Sequence, residues 1–162
     1  MAMPLHMELT GEKQGKIEGS CDMKGREGTV YVYSLQHNVN IPHHAGGVGG
    51  GASLAIGKRV HEPLVLEKQT DKATPKLYLA LTTGEHFSDV TIKWYRINKQ
   101  GKEEHYFTTK LEEAILIDMS PSFSSVGDGA HVEQLAFAYK RITWRWEVDG
   151  IEATDDWREP VE

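Results

Sequence analysis

VEQLAFAYKRITWRWEV, Val132 to Val148, contains no residue that breaks an extended chain, yet its alternation changes step partway along. The bulky residues sit at odd positions in Leu135, Phe137 and Tyr139 and at even positions in Ile142, Trp144, Trp146 and Val148. Side chains of a strand alternate with period two, so the inward phase flips near Lys140. A β-bulge has that effect, and bulges let a strand bend around a barrel or pass between packed sheets. The stretch therefore points to a barrel or a two-sheet sandwich.

The rest of the chain agrees. Leu5, Met7 and Leu9 alternate with His6, Glu8 and Thr10, predicting a strand with one buried face. The polar, glycine-bearing run from Gly11 to Gly28 reads as loop with a brief strand at Lys16 to Glu18, and Thr29 to Ile41 reads as one long strand. RVHEPLVLEKQ is a further strand, bent where Pro63 withholds its amide. TPKLYLALTTG carries helix punctuation: Thr74 as N-cap, Pro75 at the first position, Gly84 at the end. DVTIKWYRI leads through a turn at Gly101 into a hairpin partner from Glu104 to Asp118, and PSFSSVGDG reads as loop. The expected architecture is all-β, two packed antiparallel sheets closing as a barrel, with one short helix at 74–83 and an acidic tail at 149–162 held by Trp157.

Composition narrows the function. The 162 residues suit one domain over 1–162, and a formal net charge of −6 offers no basic field for a phosphate backbone, so nucleic acid is not an expected partner. Cys21 is the single cysteine, which excludes an internal disulfide and a cysteine-rich zinc site. MAMPLHMELT has neither a basic n-region nor a long apolar run, and no segment approaches a membrane span. The expectation is a protein that is cytoplasmic in the cell that makes it and whose export, if it is exported, needs no cleaved signal and no membrane insertion.

Five of the six residues from Gly46 to Gly51 are glycine, and Gly57-Lys58 follows, which invites a phosphate-cradle reading. The spacing from Gly51 to Gly57 is one residue too long, Arg59 stands where a hydroxyl is needed, and a strand follows where a helix N-terminus is required. His37, His43, His44 and His61 lie close in sequence, but no Asp, Glu or Cys between His37 and Gly57 completes a metal set, so they read as loop histidines on a solvated surface. A pH-sensitive subunit contact is the other use for them. No G-x-S-x-G elbow presents a nucleophile, and Glu103, Glu104, Glu112 and Glu113 read as hairpin surface charges. Tyr31, Tyr33, Trp94, Trp144 and Trp146 fit cross-strand packing better than a stacking platform. No catalytic residue, metal or cofactor is expected.

A glycine-rich loop of about a dozen residues between strands costs conformational entropy and is uncommon inside a compact domain unless it reaches something. In this setting a resemblance becomes informative. The G-E-K-Q-G turn (Gly11 to Gly15), TVYVYSLQHNV, the glycine extension, and GKRVHEPLVLEKQTDKATPKLYLALTTGEHF together resemble the Hcp tube proteins of the type VI secretion system, over nearly the whole chain. The block from His61 to Phe87 is the most specific part, and AFAYKRITW also fits. The resemblance implies a barrel with a flanking helix, homohexameric rings stacked as a tube inside a contractile sheath on a baseplate, a spike protein at the tip, and effectors in the lumen. By position it makes the loop at about 41–54, with Pro42, His43, His44, Gly46, Gly47, Val48, Gly49, Gly50 and Gly51, a ring-stacking element, and Ser34 a lumen contact. The histidine pair before the glycines departs from the family pattern. The competing reading is a monomeric all-β ligand-binding module or small hydrolase using the histidines and aromatics.

Overall fold

The computed structural model describes residues 3–44, 54–55, 58–127 and 131–157. In chain order the barrel strands are β1 (Leu5–Gly11), β3 (Val30–Gln36), β8 (Leu64–Gln69), β9 (His86–Ile97), β10 (Glu103–Phe123) and β11 (His131–Ala138). Around the wall they run β11-β8-β3-β1-β9-β10, every pair antiparallel, and β10 pairs with β11 to close it. Closure leaves these six with neighbours on both sides, which removes the edge problem of an open sheet. β2 (Gly15–Ile17) folds back on β1, while β12 (Arg141–Trp146) and β13 (Ile151–Asp156) extend the sheet outward from β10.

The core is the inward row of these strands: Met7, Leu9, Val32, Leu66, Ile92 and Leu135 are each 0–1 % exposed. Phe87 and Phe137 meet edge to face at 5.8 Å in its middle. Helix α1 (Thr74–Thr83) adds Leu77 and Ala80 to this cluster. Gly84 ends the helix with φ 70, a left-handed cap that a side chain would strain.

Several expectations change in the structure. The step near Lys140 is not a one-sided bulge, because Leu111 pairs with Ile142 and Ile115 with Ala138, so both strands advance equally across it. Instead both change phase together: the buried residues go from Leu111 to Ala114 on β10 and from Ile142 to Tyr139 opposite. Glu113 takes φ 49 at this point, and Lys140 N–H still reaches the Glu112 carbonyl at 3.4 Å. This shared kink is where β10 exchanges one neighbour, β11, for another, β12. A one-sided bulge does occur nearby, between Leu116 and Asp118.

The long strand expected over 29–41 ends at Gln36 and resumes as β4 (Val39–Asn40), and the 59–69 strand divides at Pro63 into β7 (Val60–His61) and β8. Pro121 to Phe123, read as loop, extend β10, and the acidic tail holds a strand, β13, over Ile151–Asp156. Thr74 is the first helical residue and not the cap, which is Ala73 without a side-chain bond; the Thr74 hydroxyl is used elsewhere. His6, placed by alternation on the open face of β1, is fully buried. The segment between β2 and β3 covers that face: His6 Nδ1 lies 2.9 Å from Thr29 Oγ1 and 3.8 Å from Cys21 Sγ.

Candidate interaction site

The segments on either side of the glycine run pair as a two-stranded arm. β4 pairs with β7, Val39 opposite His61 and Asn40 opposite Val60. Further out, β5 (His43–His44) pairs with β6 (Leu54–Ala55), His43 opposite Ala55 and His44 opposite Leu54. The expected loop at 41–54 is therefore the outer part of a ribbon that begins at residue 39. Gly46, Gly47, Val48, Gly49, Gly50 and Gly51 lie outside the described residues. Along the inner stem Val39, Ile41 and Val60 are 38 %, 51 % and 40 % exposed, and Pro42 is exposed beside them. A two-stranded ribbon that shows this much apolar surface has little intrinsic stability, so its attachment to the barrel matters.

That attachment is a chain of hydrogen bonds. His37 Nε2 lies 2.7 Å from the Tyr139 hydroxyl, which lies 2.6 Å from His61 Nδ1; His61 Nε2 lies 2.7 Å from Asp155 Oδ2. Arg59 Nε donates to the same carboxylate oxygen at 2.6 Å, and its Nη2 donates to the Asp156 carbonyl at 2.9 Å. Trp157 Nε1 donates to the Tyr139 carbonyl. Both strands of the arm root, the end of β11 and the outer strand β13 thus meet at one phenol that is 5 % exposed. Arg59 holds the Asp155 carboxyl below the usual carboxylate range, chiefly through that hydrogen bond. Burial, followed by the neighbouring His61, pushes the His37 imidazole below its ordinary value.

This corrects the reading of His37 and His61 as solvated loop histidines: the His61 side chain is 3 % exposed. Among the described residues no group of His, Cys, Asp and Glu has a metal-holding arrangement. The sequence reading missed Tyr139, Asp155 and Arg59, which lie about 80 to 120 positions from His37 and His61 or beside them in a glycine-rich context. Tyr139 had one signal, its place at the phase change.

Ser34 is exposed on β3 just after a register shift between Val32 and Ser34, opposite Glu67. It borders a cavity of about 480 Å³ whose other walls include Tyr33, Leu35, Trp94, Arg96 and Tyr106. The shift decides the facing: Val32 is buried, and without the extra residue Ser34 would be too. Trp94 makes the expected cross-strand pair, being the register partner of Phe107 with rings at 5.7 Å, whereas Tyr33 is half exposed.

Two sequence motifs are explained by polar contacts in the scaffold. The Glu85 carboxylate accepts the Lys13 and Gln14 amides at 3.2 and 2.9 Å, so T-G-E-H at the helix end pins the G-E-K-Q-G turn. Lys68 Nζ, fully buried, reaches Glu133 at 3.0 Å, Asp71 at 3.1 Å and the Thr74 hydroxyl at 3.2 Å, and that hydroxyl donates to Glu133 at 2.8 Å. The T-D-K-A-T segment is shaped to close this ion pair.

A scaffold of this kind, a closed barrel with an arm, matches known proteins along its length. Residues 6–146 fit the family model described as type VI secretion system effector, Hcp. The chain belongs to the Hcp family. It is 39 % identical to the major exported protein of Pseudomonas aeruginosa over 99 % of both chains. Among solved structures it resembles Hcp1 from E. coli EAEC 042, a double mutant, at TM-score 0.84 and 33 % identity, covering 96 % of this chain and 99 % of that one. Secreted protein Hcp3 from P. aeruginosa matches at TM-score 0.80 and 38 % identity, covering 98 % of this chain and 100 % of that one. Hcp proteins are structural, secreted components of type VI secretion and not enzymes. The family is a tube component that assembles as rings. Among the described residues no helix is long and apolar enough to cross a membrane.

Proposed function

We propose that this Hcp chain forms homohexameric rings that stack into the inner tube of a type VI secretion system, and that its arm is the stacking element. The observation that carries the reading is the arm: a paired stem with exposed Val39, Ile41 and Val60, anchored at its base, with a glycine-rich sequence between its two strands. The ligand of the arm is the next ring, with Pro42, His43, His44 and the run from Gly46 to Gly51 as the contact. The tube lies within a contractile sheath on a baseplate, carries a spike protein at its tip, and is exported with it. Effectors ride in the lumen, with Ser34 and the neighbouring cavity as their contact.

Deleting Gly46 to Gly51 tests the assignment. Light scattering and negative-stain imaging should find rings of six intact and stacks of rings reduced at least tenfold in abundance. Dissociated rings would place the arm within the ring instead, and a clean monomer of the unaltered chain at all concentrations would overturn the tube reading.

A further inference from the structure

The bonds at the arm root have a direction. The Asp155 carboxylate, paired with Arg59, only accepts, so His61 must carry its proton on Nε2. In neutral His61, Nδ1 is then an acceptor and takes the Tyr139 O–H. The Tyr139 oxygen in turn accepts Nε2–H of His37. With both imidazoles neutral, every group in the chain has a partner of the right kind.

One added proton can be absorbed. If it goes to His61, Nδ1–H donates to the Tyr139 oxygen, whose own O–H turns toward His37 Nε2, and His37 moves its proton to Nδ1. The chain has reversed without losing a bond. A second proton cannot be absorbed. Two N–H donors then face one oxygen, the hydroxyl hydrogen has no acceptor, and two cations share a buried phenol.

We propose that the arm root is a proton-operated latch: with neither or one of His37 and His61 charged it holds the arm on the barrel, and with both charged it releases the His37 side. The charged and titratable groups facing the pair are Asp155 and Arg59 from the outer strand and the arm, Tyr139 from β11, and Asp156 through its carbonyl on Arg59. Asp155 is already bound by Arg59, which limits how far it can compensate a second positive charge. The bearing of the latch on ring stacking rests on the stacking role given to the arm above.

The test is a titration of the full-length chain labelled with carbon-13 at histidine Cε1, read by NMR between about pH 8 and pH 5. His37 and His61 should titrate as a coupled pair, in two steps separated by roughly one pH unit or more. Amide shifts of Val39, Asn40 and Val60 should follow the lower step alone. Tyr139→Phe should remove the coupling, and His37→Gln should leave one histidine step with no response in the stem amides. If Tyr139→Phe does not fold, His37→Gln and the unaltered chain still decide. Independent titration of the two histidines in the unaltered chain, or stem shifts that follow the upper step or neither, would overturn the latch. Loss of stacking in the glycine deletion is read separately by light scattering and negative-stain imaging, so the latch and the stacking role can fail independently.

Discussion

His6 sits between Tyr31 and Tyr95 with ring centroids at 5.2 and 5.3 Å, and Arg26 lies over the Tyr95 ring at 3.7 Å. The Thr29 hydroxyl donates to the Arg26 carbonyl at 2.9 Å, so it accepts from His6, which fixes the proton on Nδ1 and leaves Nε2 as a buried acceptor without a partner. Burial first, and then Arg26, push this imidazole down to about 4 from its ordinary 6.5. A folded-state value below the unfolded one means that the unfolded chain takes up the proton first. The contribution is complete above pH 6.5 and is lost as pH falls through about 4, amounting to about 3 kcal/mol in all. Urea denaturation across that range should show the loss, and His6→Gln should flatten the slope by about one proton; an unchanged slope would mean that His6 is charged in the folded protein. Lys68 makes a second prediction at this scale. Lys68→Met leaves Glu133 buried and unpaired and should cost about 3–5 kcal/mol, of which Lys68→Met/Glu133→Gln should recover part.

At the scale of elements, the kink shared by β10 and its neighbour depends on one residue with positive φ, Glu113. A β-branched side chain tolerates that conformation poorly, whereas Asn tolerates it well. Glu113→Val should lose about 1–2 kcal/mol and Glu113→Asn less than about 0.5 kcal/mol in denaturant titrations; equal losses would mean that the Lys140 ion pair, not the backbone, is what matters. The β1–β2 turn offers a parallel case. A Cβ on Gly11 would lie 2.2 Å from Glu85 Oε2, so Gly11→Ala should displace that carboxylate and lower hydrogen-exchange protection of the Lys13 and Gln14 amides. The strands, the helix and the change of phase were legible in the sequence, because period-two alternation and helix punctuation are local signals. What the kink was could not be read from Val132 to Val148 alone, since a one-sided bulge and a shared kink differ only on the opposite strand. The burial of His6 was hidden for a similar reason: the cover over β1 comes from a polar segment with no periodicity of its own.

Across the whole molecule, the arm was legible as a glycine excess, but its root was not. The root joins residues from 37, 59–61, 139 and 155–157, and no spacing rule connects them. Only the closed barrel and the outer sheet bring these positions together. The facing of Ser34 depends in the same way on the register shift beside it, which local alternation does not encode. If the cavity beside Ser34 is a cargo contact, Ser34→Trp should reduce co-purification of a bound effector at least tenfold while leaving ring diameter unchanged in negative-stain images.

The order in which the barrel strands follow one another along the chain also governs synthesis. β1 has β9, much later in the chain, as a neighbour, and the wall closes only when β11 meets β10, from Ile115 opposite Ala138 to Phe123 opposite His131. Until then the nascent chain presents an apolar strand with an unpaired edge, the state in which a polypeptide is most open to wrong partners. Long-range pairing of this kind is slow to form. Unfinished chains therefore need shelter, and truncations that stop short of Ala138 should aggregate instead of persisting as smaller folded pieces.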